Sequence, residues 1–377
     1  MDAIVKNKYQ RTLKPIQKRA GCHVTINTHS KIDFSSNDTL SLSTEPCLLD
    51  ALNTIQFTQF GSTGSRLLSG DYDQIHHFES ELAQWISKPR VLLFNSGFQL
   101  NSGLFNILLT DKDVLFIDKQ CHASIIDGAL ASKATVYRYH HHDLEHLTQL
   151  LTKHRHQYTT AILVTESLFS MDGFRSDISQ LIALKHEFKA QLYIDDAHSI
   201  GLHGNNGTGV CAPYLQDIDY FIATFGKAFG SFGAFLACND ATYTAVINRC
   251  RSFIYTTALP LPVVWWNQQA LRWIQSHSKE RDVVMQISKQ FQNGLQRLNI
   301  PFTGNDHIIS LLIKDDKKTL IVSKQLQEAG YYALPILPPT VPKNKSCIRF
   351  TFTRSHTPEM VNGVLTCIKT IYYSHVT

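Results

Sequence analysis

The chain has 377 residues, of which 43% are hydrophobic and 18% charged, with a formal net charge of +5. That length admits a large domain with a smaller one attached, and the composition excludes a disordered or fibrous chain. The positive charge is scattered, with no run of Lys and Arg interleaved with aromatics, which argues against nucleic acid and leaves an acidic substrate or carrier as the partner it would attract.

The eight cysteines fall singly, with no C-x-x-C pair. Such spacing suits a reducing compartment better than a disulfide framework or a structural zinc site. Residues 1–8 hold no apolar core resembling a signal peptide, and no apolar run approaches the roughly 18 residues of a membrane span. The expectation is a cytoplasmic protein with no membrane partner.

In chain order, residues 1–45 read as an N-terminal arm, helical at first and then a short strand pair. Residues 46–280 read as a large domain. Seven apolar, β-rich runs recur in it, at 91–95, 114–118, 135–139, 161–166, 192–196, 220–225 and 232–238. Helical patterns lie between several of them. One starts at Asp177, a natural N-cap, with Ile178, Leu181, Ile182 and Phe188 on one apolar face. Strands alternating with helices predict an α/β fold whose seven-stranded, mostly parallel sheet is covered by helices on both faces. Residues 281–377 read as a smaller α+β domain. A charged helix at 278–298 precedes its strands near 308–313 and 348–352, which flank a helix at 319–329.

Ligands of such sheets bind beyond the carboxyl ends of the strands, and the chemistry-bearing residues fall there. The run 192–196 ends in Asp195-Asp196-Ala197-His198. The run 220–225 leads into Thr224-Phe225-Gly226-Lys227-Ala228-Phe229-Gly230. A buried acid on one strand and a lysine between glycines after a later one suit pyridoxal phosphate. The lysine carries that cofactor as a Schiff base, and the acid keeps the pyridine nitrogen protonated. The cofactor's protonated ring would in turn offset the cost of burying the carboxylate. Asn95-Ser96-Gly97-Phe98-Gln99 opens a helix after a strand, where backbone N–H groups and the helix dipole can hold a phosphate. An ordinary turn with Ser96 as N-cap is the plainer reading of that segment taken alone.

Three further segments admit both a plain and a functional reading. The loop from Gly61 to Gly70 lacks a preceding strand, a P-loop lysine and G-x-G-x-x-G spacing, so it reads as a substrate-lining loop. Tyr139-His140-His141-His142-Asp143, with His146, reads as a polar loop in which Asp143 caps a helix, in preference to a metal site. His122 follows the 114–118 run and could stack on a flat ring.

Together these segments resemble the α-oxoamine synthases, fold-type-I pyridoxal-phosphate enzymes that condense an amino acid with an acyl thioester and release CO2. The resemblance spans nearly the whole chain. It takes in residues 34–38, the Gly61–Gly70 loop, Ser96-Gly97-Phe98, His122-Ala123-Ser124, residues 165–173, Asp195 to His198, Thr224 to Gly230, Ile254 to Thr257 and Cys347 to Thr351. The resemblance implies Lys227 as the Schiff-base lysine, Asp195 at the pyridine nitrogen, His198 at the phenolic oxygen with Ser170 nearby, and His122 stacked over the ring. It places the phosphate on Ser96, Gly97, Phe98 and Thr224, with Thr256 or Thr257 supplied by the second subunit of a homodimer whose active sites lie at the interface. Arg349 would hold the amino-acid carboxylate as a bidentate fork, with Arg11 and Asn37 as further substrate-binding residues.

Within the family, Pro338-Pro339-Thr340-Val341-Pro342 resembles the biotin-pathway branch, which joins L-alanine to a pimeloyl thioester on acyl carrier protein or coenzyme A. Leu337, Ser199 and Thr39 depart from the usual pattern and keep open another amino acid or acyl chain, including that of a signalling-ketone synthase. A non-catalytic binding protein on the same fold is the alternative from another class.

Overall fold

The computed structural model describes residues 12–376. Arg11, expected to bind substrate, lies outside the described residues.

A seven-stranded sheet organises the molecule. Its spatial order is Arg90–Phe94, Ala234–Cys238, Tyr220–Thr224, Gln191–Asp195, Ala161–Glu166, Val114–Asp118 and Thr135–Tyr139. All neighbours run parallel except Ala234–Cys238, which is antiparallel to both of its partners. The central strands are buried almost throughout, because helices cover both faces and leave no side for polar alternation. Successive residues alternate between two cores. Phe116, Leu163, Phe221 and Phe235 pack on one face, while Leu115, Ile117, Ile162, Val164 and Leu236 pack on the other. The predicted strands agree with these to within two residues at each end. The Asp177 cap forms as read, its side chain accepting from Gln180 N at 3.0 Å.

A second sheet, all antiparallel, contains Phe302–Thr303, Ile308–Lys314, Ser346–Thr351 and Pro335–Ile336. Helices Ser278–Arg297, Asp316–Glu328 and Pro358–His375 pack around it. The amino-terminal segment is built into this end of the molecule. Lys18–Ala20, His23–Ile26 and His29–Asp33 form three strands where a pair was expected, and the last pairs in parallel with Tyr331–Tyr332. No helix precedes them among the described residues. Beyond His29–Asp33 the chain stays anchored. Phe34 O accepts from Thr351 N at 2.8 Å, and the Phe34 ring packs on Phe350, Phe352 and His356. This anchorage delivers Asn37 to the strand that carries Arg349. Among the described residues, no helix is long and apolar enough to cross a membrane.

Candidate active site

Three parallel strands and two helix starts converge on a single cleft. Glu166 and Asp195 end adjacent strands and are register partners. Thr224 ends the next strand, and Lys227 follows on the turn beyond it. His122 caps helix Ala123–Ala131, and Gly97 opens helix Gly97–Leu108. Gly97, Phe98, Asn101, His122, Asp195, His198, Thr224 and Lys227 all line the cleft. The sequence therefore brings most of its expected cofactor residues together.

Strand alternation decides which of the two adjacent acids faces the cleft. Asp195 does, with Oδ1 accepting from Ala197 N at 3.0 Å and Oδ2 from Asn101 Nδ2 at 2.9 Å. Asp196 turns away into the loop that follows, where Ser199 Oγ donates to its Oδ1 at 2.5 Å. A Cβ on Gly209, which has φ +88, would come within 2.0 Å of Asp196 Oδ2, so glycine is obligatory there. Asn101 is a connector: Tyr193 OH donates to its Oδ1 at 2.6 Å, and its Nδ2 also reaches Ser124 Oγ at 3.0 Å. Ser124 Oγ lies 2.7 Å from His122 Nδ1. One hydrogen-bonded run thus joins the buried acid to the histidine at the cleft mouth.

The electrostatics follow from burial. Lys227 is pulled down to about 8 by desolvation, which outweighs the attraction of Asp195 and Glu166. Burial, and then the charge of Asp195, push Glu166 up to about 8. Glu166 Oε1 accepts from His122 N at 2.6 Å. His198 is held well below its usual value by burial and by the cations Lys227 and Arg349, so it is a neutral ring.

Arg349 is the most exceptional charge. It lies on strand Ser346–Thr351, and burial lowers it to about 10. Its Nη2 donates to Asn37 Oδ1 at 2.9 Å, and its Nε has no hydrogen-bond partner among the described residues. A buried guanidinium with a vacant donor and no paired carboxylate is costly unless an anionic ligand completes it.

Other expected residues are placed differently. Ser96 caps its helix, accepting from Gln99 N at 3.1 Å, as the plainer reading had it. The Thr224 hydroxyl donates to Gly233 O at 2.9 Å and accepts from Gly226 N at 3.1 Å, so it braces the lysine turn. Ser170 lies on the turn between Leu168 and Arg175 and does not line the cleft. Within one chain, Thr256 borders a separate hollow with Arg66 and Asn95, whose Nδ2 bonds Thr256 Oγ1 at 3.2 Å and Thr257 O at 2.8 Å. The Gly61–Gly70 loop docks on the same segment through Ser62, which donates to Ala258 O at 2.6 Å. Ser199 and Thr39 are both buried, and Ser199 serves the Asp196 loop, so these two departures from the family pattern bear on packing.

Asn101, Ser124 and Glu166 were not read as functional from the sequence. Asn101 lies four residues after Gly97, one helical turn along the same face, and that spacing was a usable signal. Glu166 was visible as an acid ending a strand beside that of Asp195.

The cleft fits pyridoxal phosphate on its own geometry. A Cβ on Gly97 would meet no protein atom within 4 Å, so packing does not demand glycine there, and the bare backbone leaves room for an anion at the helix start. Comparison with known proteins agrees. The family described as aminotransferase class I and II matches residues 29–368. An 8-amino-7-oxononanoate synthase of Haemophilus ducreyi is 36% identical over 371 residues, which cover 95% of this chain and 96% of that protein. A solved 8-amino-7-oxononanoate synthase from Francisella tularensis shares 26% identity with a TM-score of 0.77, over 92% of this chain and 99% of that one. A serine palmitoyltransferase from Sphingomonas wittichii shares the fold, with a TM-score of 0.91 at 24% identity, over 99% and 94% of the two chains.

The chain belongs to the α-oxoamine synthase family of fold-type-I pyridoxal-phosphate enzymes. It is an acyltransferase, and pyridoxal phosphate is its cofactor.

Proposed function

We propose that the protein condenses L-alanine with a pimeloyl thioester, on acyl carrier protein or coenzyme A, to give 8-amino-7-oxononanoate, CO2 and the free carrier, a step of biotin synthesis in the cytoplasm. The geometric observation that carries an amino-acid substrate is the buried, half-satisfied guanidinium of Arg349 beside Asn37. The names of its relatives and the segment Pro338–Pro342 support the choice of alanine and a pimeloyl chain.

Bound pyridoxal phosphate supplies an electron sink for negative charge at the amino acid's Cα. Asp195 holds the proton on the ring nitrogen, and Asn101 fixes that carboxylate. Gly97 and Phe98 offer backbone N–H groups to the phosphate, Ser96 and Thr224 shape its two supporting turns, and Thr256 or Thr257 of a second subunit adds a hydroxyl. His198, neutral, would donate to the phenolic oxygen, and His122 would cover the ring face. Lys227 Nζ would hold the cofactor and, once free, would take the proton at the substrate's Cα and return one there. Arg349 and Asn37 grip the substrate carboxylate until it leaves as CO2. The largely exposed Phe60, Leu68 and Tyr255, on the segments around Thr256, favour a homodimer.

Loaded enzyme should be incubated with pimeloyl thioester and, separately, L-alanine, glycine or L-serine, and the products weighed by mass spectrometry. Product with alanine alone, at the mass of 8-amino-7-oxononanoate, supports the assignment. Product with a different amino acid, or none with pimeloyl, discards the substrate pair and keeps the family.

The depressed Lys227 gives a separate prediction for the cofactor-free protein. Attachment needs the neutral amine, so its rate should rise about tenfold per pH unit and level off near pH 8, where the lysine loses its proton. An ordinary lysine, titrating near 10.4, would still be accelerating there. Stopped-flow absorbance against pH separates the two.

A further inference from the structure

The histidine loop after strand Thr135–Tyr139 does more than cap a helix. Asp143 does cap, accepting from His146 N at 2.8 Å, but His141 sits between two carboxylates. Its Nδ1 is 2.8 Å from Asp118 Oδ1 and its Nε2 is 2.6 Å from Asp172 Oδ2. Both contacts require the ring nitrogen to donate, so the ring carries two protons. Burial pulls its affinity for the second proton down, yet the two carboxylates more than compensate and raise it to about 9. The neighbouring His142 is lowered by burial and then by the His141 charge. These three groups surround the ring with Phe169, which meets it edge-on at 4.4 Å. Lys119 is engaged elsewhere, with Nζ 2.8 Å from His140 Nδ1. The ligand atoms of His141, His142 and Asp172 lie close enough for a metal, but a ring that donates from both nitrogens has no lone pair to offer one.

The two carboxylates belong to different parts of the molecule. Asp118 ends a strand of the large sheet. Asp172 lies on the turn 168–175, whose other contacts reach across to the second sheet. Ser310 Oγ donates to Met171 O, and Arg175 Nε pairs with Asp306 Oδ2 at 2.5 Å. Gly173, at φ +70, lies so close to Ile308 that a Cβ would come within 2.0 Å of its carbonyl. Ser310 is the register partner of Arg349.

We propose that His141, as an imidazolium bridging Asp118 and Asp172, is a positioning residue that pins the 168–175 turn between the two sheets and so sets the place of Arg349 for the substrate carboxylate. The proposal rests on the reading of Arg349 given above.

The test uses cofactor-loaded enzyme with wild type, His141→Gln and Asp172→Asn. Imidazole nitrogen NMR should show both His141 nitrogens protonated at about pH 7, with a midpoint near 9 in wild type that falls in Asp172→Asn. The KM for L-alanine should rise about tenfold in either variant, as expected for loss of a hydrogen bond between charged groups, with kcat changed far less. In wild type the KM should begin to climb near pH 9, and in His141→Gln the onset should move up towards pH 10, where Arg349 itself loses its proton. A neutral His141 ring at about pH 7 overturns the proposal, as does a KM unchanged in both variants. Should His141→Gln fail to fold, Asp172→Asn, which keeps the side-chain shape, decides alone. If wild type does not turn over L-alanine, the substrate reading fails by itself, and the KM arm moves to whichever amino acid is accepted.

Discussion

Lys227→Ala is expected to lower turnover by about 10⁴-fold, the upper end of what a positioned base contributes, and to remove covalent attachment of the cofactor altogether. The second effect follows from position. Lys227 reaches the cleft from a turn braced by the Thr224 hydroxyl, and it is the lysine that lines the cleft. The first effect follows from the surroundings. Desolvation keeps a large share of Nζ neutral near pH 8, so the same atom that anchors the cofactor is ready to take a proton once displaced. A surface lysine recruited in its place would be almost wholly charged at that pH and far from Asp195. Truncation also removes a buried cation whose desolvation was unfavourable, so the variant should fold and still bind the cofactor without a covalent link. Borohydride reduction followed by peptide mass spectrometry reads the attachment site, and product formation reads the rate. Turnover kept by Lys227→Ala would remove Lys227 from the chemistry; attachment at 227 without turnover in wild type would revive the binding-protein alternative.

The sheet was legible because its strands obey simple rules. Runs such as Val114–Asp118 and Ala161–Glu166 are apolar from end to end, which only strands covered on both faces sustain. The residues at their carboxyl ends were legible for the same reason, since a strand end fixes where Asp195 or Lys227 must lie whatever the loops do. What escaped depends on pairing between distant segments. Nothing local in His29–Asp33 announces that it joins Tyr331–Tyr332, some 300 residues away in sequence. The partners of His141 come from a strand end 23 residues before it and a turn 31 residues after it, so its loop offered only a string of polar residues. Thr224 shows a different limit. A hydroxyl after a strand suits phosphate binding and turn bracing equally well, and only the distances to Gly226 and Gly233 show that it braces the turn.

Arg349→Ala is expected to raise the KM for the amino acid by about 10- to 100-fold, the range set by hydrogen bonds to a charged group, while affinity for the cofactor changes little. The guanidinium is buried, faces Asn37 on one side only, and keeps Nε vacant. A free carboxylate offers two oxygens in the geometry that a planar fork matches. The unliganded protein bears the desolvation of that charge without a compensating anion, so substrate binding relieves a cost already present. Arg349→Lys tests this more sharply than the alanine variant. It keeps the charge but loses the fork, and its KM should fall between those of wild type and Arg349→Ala. Asn37→Ala should give a smaller rise, because it frees a donor on Arg349 without removing the charge. If Arg349→Lys matched wild type, charge alone would suffice and the bidentate grip would be wrong. A KM indifferent to all three substitutions would place the carboxylate elsewhere. The buried charge would then have only a structural role, and Arg349→Met, of similar length and uncharged, should raise the melting temperature of the cofactor-loaded enzyme, because replacing a buried charge by a well-packed apolar side chain is often stabilising.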